Sequence, residues 1–131
     1  MDLERHTGRC LCEGVRYEVV GPLPDVITCH CGQCRRTSGH FFATTRAQTE
    51  NLHLITSDTL TWYRSSDFAE RGFCSRCGGN LFWRPIGGKT TSILAGTLDP
   101  PTHLRIGSHI FVADKSDYYE IDDDAPRSAG Y

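Results

Sequence analysis

Seven cysteines stand in three clusters, Cys10-Leu11-Cys12, Cys29-His30-Cys31-Gly32-Gln33-Cys34 and Cys74-Ser75-Arg76-Cys77-Gly78-Gly79. Their spacing is that of metal ligands. In an extended segment residues i and i+2 face the same way, so Cys10 and Cys12 can direct both sulfurs at one ion while Leu11 points elsewhere. Cys74 and Cys77 have the spacing of a zinc knuckle, a tight turn that converges two thiolates and aims backbone N–H groups at them. Gly78 and Gly79 supply the positive φ such a turn requires. Neither pair completes a tetrahedron, but together they give four thiolates and a closed, structural site. The long intervening chain is no obstacle, since closure entropy rises by only about 0.6 kcal/mol per doubling of loop length, against zinc-binding energies of roughly 10–16 kcal/mol.

Cys29, Cys31 and Cys34 combine an i, i+2 pair with an i, i+3 knuckle, so three sulfurs can meet at one point. Three protein ligands leave a fourth position for water or an incoming group, which is what separates reactive from structural zinc. Three thiolates leave a formal site charge of −1 rather than −2, so an anionic ligand such as a further thiolate is still attracted. The competing possibility is that His30, His40 or a distant group closes this site too. His30, lying between two ligands on an extended segment, should point away from the metal. An iron–sulfur cluster fits less well, because a CxC spacing is not one of its usual runs.

Positioning these clusters falls to short strands. Val15-Arg16-Tyr17-Glu18-Val19 alternates at period 2 and is stopped by Gly21-Pro22-Leu23-Pro24. Further strands are expected over 40–45, 52–56, 60–63, 71–74, 80–83, 91–95 and 109–112, all rich in β-branched or aromatic residues. One short helix is expected at Gly32 to Ser38, ended by Gly39 as a left-handed cap. The fold class is therefore mainly β, with at most one or two short helices. At 131 residues the chain is expected to form a single domain, 1–131, with a polar tail that frays from about residue 122.

Hydrophobic residues make up 38% of the chain, below the roughly 45–50% of ordinary globular proteins, so metal crosslinks would supplement a thin core. A net charge of −2, with no basic stripe beyond Arg35-Arg36, argues against a nucleic-acid partner or an anionic membrane surface. The charged start, Met1-Asp2-Leu3-Glu4-Arg5-His6, lacks a signal-peptide pattern, and no apolar run approaches the ~20 residues that span a bilayer. A cytoplasmic location, where thiols stay reduced, is the expectation; the odd number of cysteines agrees with it.

The motifs Gly8-Arg9-Cys10-Leu11-Cys12-Glu13-Gly14-Val15-Arg16-Tyr17, Cys29-His30-Cys31-Gly32-Gln33-Cys34-Arg35-Arg36-Thr37-Ser38-Gly39, Cys74-Ser75-Arg76-Cys77-Gly78 and the stretch from His109 to Ile121 resemble the glutathione-dependent formaldehyde-activating enzyme family, which also includes centromere protein V. The resemblance covers nearly the whole chain. It implies a β-tent of antiparallel sheets, two zinc ions per chain, structural zinc at Cys10, Cys12, Cys74 and Cys77, and reactive zinc at Cys29, Cys31 and Cys34. It further implies a carbon–sulfur lyase reaction in which a thiol such as glutathione adds reversibly to formaldehyde. On this reading the substrate sulfur is a thiolate at the three-cysteine zinc, and those cysteines act through the ion. The alternative is a non-enzymatic, zinc-stabilised binding module.

A carbonyl addition needs a proton for the emerging alkoxide; His30, His40, Asp99 and His109 are the titratable candidates. Arg35 and Arg36 are either solvated or a lure for ligand carboxylates. Phe41, Phe42, Trp62 and Trp83 are expected in the core rather than in a pocket, and Asp122 to Asp124 in a solvated terminus.

Overall fold

The computed structural model describes residues 4–131, so the first three residues of the charged start lie outside it. Ten strands, one α-helix and three short 3-10 turns are found among the described residues. They form two compact units. The first comprises the chain up to Pro24 together with Thr45–His103, and the second Asp25–Thr44 with Leu104–Tyr131.

In the first unit β1 (Arg5–Arg9), β2 (Arg16–Val20) and β5 (Leu52–Thr56) make an antiparallel sheet in the order β1-β2-β5. β6 (Leu60–Arg64), β7 (Ala69–Cys74), β8 (Asn80–Pro85) and β9 (Thr90–Leu94) form an antiparallel meander. Val15, Tyr17, Val19, Leu81, Phe82 and Ile93 are all at most 1% exposed and make the apolar centre of this unit. Tyr17 meets Phe82 edge-on at 5.3 Å, and its hydroxyl reaches Thr97 Oγ1 at 2.6 Å, so the buried ring keeps a polar partner. Gly72 is paired with Trp62 on one side and Phe82 on the other. A Cβ there would stand 3.1 Å from the Trp62 ring, so any larger residue would push the indole back by a few tenths of an ångström.

The second unit holds β3 (Val26–Cys29), α1 (Gly32–Ser38), the start of β4 (Phe42–Gln48) and β10 (Ile106–Ile110). β4 runs antiparallel to β3, while β10 is its parallel neighbour. α1 occupies the expected residues. Its first turn is capped by the Cys31 side chain, and Gly39, at φ 84°, returns its N–H to the Arg35 carbonyl.

The mainly-β expectation holds. β1 and β3 were not among the expected strands: β1 reads Arg-His-Thr-Gly-Arg, polar with a glycine, and β3 is four residues long and ends on a ligand motif. The strand expected at 109–112 instead spans Ile106–Ile110, because Phe111 takes a left-handed φ of 56° and starts a 3-10 turn. The segment after residue 122 is hydrogen-bonded to β10 and the residues that follow it. His109 N–H donates to the Pro126 carbonyl at 2.9 Å, Ser128 N–H to the His109 carbonyl at 2.9 Å and Phe111 N–H to the Gly130 carbonyl at 2.8 Å, so the end of the chain is tied to β10 and the residues after it. None of the described helices is long and apolar enough to cross a membrane.

Candidate metal centres

Four sulfurs converge in the first unit. Cys10 and Cys12 leave the end of β1 in a turn that is closed by Cys10 N–H donating to the Val15 carbonyl at 3.0 Å, with Glu13 at φ 68°. Cys74 ends β7 and Cys77 lies in the turn before β8, where Gly78, at φ 77°, donates its N–H to the Cys74 carbonyl at 2.8 Å. Of the two glycines expected at positive φ only Gly78 takes it; at Gly79 a Cβ would meet Cys77 Sγ at 3.4 Å and Cys10 Cβ at 3.6 Å, ordinary contact distances.

The four Sγ atoms lie within 4.8 Å of one another, with Cys10–Cys12 at 3.8 Å and Cys12–Cys74 at 3.6 Å. A tetrahedral ion with metal–sulfur bonds of about 2.3 Å places its sulfurs ~3.8 Å apart, so the cluster fits one ion. A disulfide needs about 2.0 Å, and all seven cysteines are free.

This cluster is surrounded by donors. Val15 N–H points at Cys10 Sγ at 3.3 Å, Cys77 N–H at Cys74 Sγ at 3.4 Å, and Arg76 Nε at Cys12 Sγ at 3.2 Å. The Thr59 hydroxyl lies 3.1 Å from Cys74 Sγ, and this bond, more than any other influence, holds the Cys74 thiol down to about 5. Cys77 is also lowered, chiefly by a backbone hydrogen bond at Cys12, whereas burial pushes Cys10 up.

Cys29, Cys31 and Cys34 bring their sulfurs within 4.8 Å of one another at the end of β3 and in the first turn of α1. Among the described residues no His, Cys, Asp or Glu atom joins them as a fourth donor of the same cluster. Cys34 N–H points at Cys31 Sγ at 3.3 Å. The Cys29 thiol is driven far above its ordinary value, first by its hydrogen bond with Cys34 and then by burial. Three sulfurs this close could hold one cation, and soft sulfur suits ions such as zinc over hard oxygen-seeking ones.

His30 turns away from the sulfurs, as its place between them requires. Its Nε2 is 2.8 Å from the Thr28 hydroxyl and its Nδ1 is bonded to the Tyr119 hydroxyl, so both ring nitrogens are engaged elsewhere. Burial pulls its pKa down to about 4, with help from neighbouring His109. His40 Nδ1 pairs with the Tyr118 hydroxyl, and His109 lies between Thr28 and Asp123. Asp99 belongs to the first unit, where the Thr7 hydroxyl donates to it at 2.7 Å.

Phe42 is buried at 4% exposure, as expected of core. Phe41 packs against His30 at 5.2 Å and His40 at 4.3 Å, while Trp62 carries the Arg84 guanidinium 3.6 Å above its ring. Arg36 is exposed; Arg35 is half-buried with its Nε enclosed and lacking a hydrogen-bond partner. Sequence reasoning missed Thr28, Thr59, Arg76, Tyr119 and Asp123. Asp123 belongs by sequence to a solvated run, and only the pairing of the chain end with β10 brings it to His109.

Fold and site together define a mainly β protein with one four-thiol and one three-thiol cluster, each able to hold a metal ion. The chain belongs to the glutathione-dependent formaldehyde-activating enzyme family, whose model matches residues 5–114. An uncharacterized lyase of Schizosaccharomyces pombe is 28% identical over 121 residues, covering 91% of this chain and 87% of that protein. A crystal structure of a Rhodobacter sphaeroides protein has the same fold, with a TM-score of 0.62 at 20% identity over 92% of this chain and 98% of the other.

Proposed function

We propose that this protein is a zinc-dependent carbon–sulfur lyase acting on a thiol–aldehyde adduct of the S-hydroxymethylglutathione kind. The observation that carries this reading is the inequality of the two clusters: four convergent sulfurs in one, three in the other, with the nearest histidine turned away. Cys10, Cys12, Cys74 and Cys77 hold a structural ion. Cys29, Cys31 and Cys34 hold the reactive one and leave a position for a thiol. Zinc bound there supplies Lewis acidity that lowers the pKa of an entering thiol.

The chain's own residues do the rest. The three cysteines, fixed by the end of β3 and the cap of α1, set where the incoming sulfur sits. In the addition a C–S bond forms, the thiol gives up its proton and the carbonyl oxygen gains one; elimination reverses each change. Arg35, directly after the third cysteine, offers a guanidinium to a carboxylate of a glutathione-like ligand. Small thiol and aldehyde are thus the partners of this reading.

The test is exchange NMR of a glutathione–formaldehyde mixture with metal-loaded protein. Accelerated exchange that disappears in Cys31→Ser is expected. Exchange no faster than in buffer, with glutathione leaving the three-cysteine metal undisturbed, would sink the enzyme and leave a zinc-stabilised binding module.

A further inference from the structure

Behind the three-cysteine segment stands a line of buried polar side chains. Thr28 and His30 alternate with Cys29 and Cys31 along extended chain, so their side chains face away from the sulfurs. Thr28, His30 and His109 are 0%, 1% and 3% exposed. Asp123 carboxylate oxygens lie 2.9 and 3.0 Å from His109 Nε2; His109 Nδ1 is bonded to the Thr28 hydroxyl; that hydroxyl is 2.8 Å from His30 Nε2; and His30 Nδ1 is bonded to the Tyr119 hydroxyl. Five side chains form one path, with an exposed carboxylate at one end and a half-buried phenol at the other.

With both imidazoles neutral, this path has a single direction. A carboxylate only accepts, so His109 carries its hydrogen on Nε2 and must accept at Nδ1. Thr28 therefore gives its only proton to His109 and accepts from His30 Nε2–H. His30 Nδ1 is left as an acceptor, and the Tyr119 hydroxyl must donate to it. The approach of His30 Nε2 to His109 Nδ1 at 3.3 Å agrees, because it places one N–H against one bare nitrogen.

We propose that Asp123 is a positioning residue: through His109, Thr28 and His30 it holds the Tyr119 hydroxyl proton inward, so that the Tyr119 oxygen presents its lone pairs to a ligand bringing an S–H or O–H. The phenol stacks on His30, ring centroids 5.6 Å apart, and His30 stands between Cys29 and Cys31 in the chain. The hydrogen-bond direction stands independently of the reaction proposed above; the ligand class rests on that reading, since a thiol and its hydroxymethyl adduct bring such groups.

Long-range 1H–15N spectra of the histidine rings test it, using metal-loaded protein at a pH where the 15N shifts show both rings uncharged. Wild type should show the Nε2–H tautomer at His30 and His109. Asp123→Asn, whose amide can donate where the carboxylate cannot, should move both rings toward Nδ1–H although His30 does not touch residue 123. Combining Thr28→Val with it should reduce the change at His30 relative to that at His109, the 3.3 Å approach of the two imidazoles being the coupling that remains. His30 found as Nδ1–H in wild type, His109 remaining doubly protonated throughout, or His30 unmoved by Asp123→Asn would overturn the proposal. For the ligand-facing half, Tyr119→Phe should weaken glutathione binding several-fold; unchanged binding overturns that half. If thiol–formaldehyde exchange fails while the tautomers behave as stated, the reaction is wrong and the path is right; the converse result isolates failure to the path.

Discussion

The four-sulfur and three-sulfur clusters use the same element under different electrostatic terms. Around Cys10, Cys12, Cys74 and Cys77, backbone N–H groups, the Thr59 hydroxyl and the Arg76 guanidinium stabilise negative sulfur, and Cys74 is held near 5, although burial pushes Cys10 up. Around Cys29 the balance is opposite, since a neighbouring thiol and burial favour the protonated form. A sulfur whose charge is satisfied by donors makes a durable ligand and a poor nucleophile, whereas a crowded trio depends on its cation and still lacks a fourth sulfur. On the reading proposed above, a structural and a reactive site differ in what surrounds the sulfur as much as in the number of sulfurs.

Ligand deletion offers the hardest test of this contrast. Cys74→Ser removes a fully buried ligand of the closed cluster and should unfold the protein or cost several kcal/mol, since about 10–16 kcal/mol of metal-binding energy is linked to folding at such sites. Cys31→Ser should keep a cooperative melt and lose reactivity. Thermal melts followed by circular dichroism compare the two, and equal loss of folding would erase the distinction.

Acid gives the next largest effect. Protons compete with metal for sulfur, most effectively where the thiol pKa is high. The raised Cys29 predicts that the three-sulfur cluster loses its ion first as pH falls, while Cys74, lowered to about 5, and Cys77, also lowered, retain theirs to more acidic pH. In cadmium-substituted protein, two 113Cd resonances should vanish in that order on titration downward from neutral; simultaneous loss contradicts the electrostatic difference.

A smaller change sharpens the comparison from the other side. Arg76→Ala takes the charged donor from Cys12 and should raise the rate at which iodoacetamide alkylates the closed cluster by a few-fold, measured by peptide mass spectrometry, with the Cys29–Cys34 peptide as internal reference. The least effect is expected of Thr59→Val. Exchanging the hydroxyl for a methyl should lift the metal-free Cys74 thiol pKa from about 5 toward the ordinary thiol range, seen as thiolate absorbance near 240 nm appearing at higher pH in chelated protein, provided that protein stays folded.

Much of this protein is written in its spacing. CxC, CxCxxC and CxxC dictate which sulfurs share a face, because alternation and the knuckle turn are local properties of the backbone, and Gly39 ends α1 where its freedom at positive φ is needed. The period-2 runs likewise announce most strands. What the chain order could not announce is partnership across long separations: β10 lying parallel to β3, the chain end returning to His109, and Thr59 and Arg76 closing on the sulfurs. Those contacts depend on how strands pair and where a side chain ends in space, and only the folded molecule fixes both, so it alone decided which thiols are supported by donors and which histidines are already engaged.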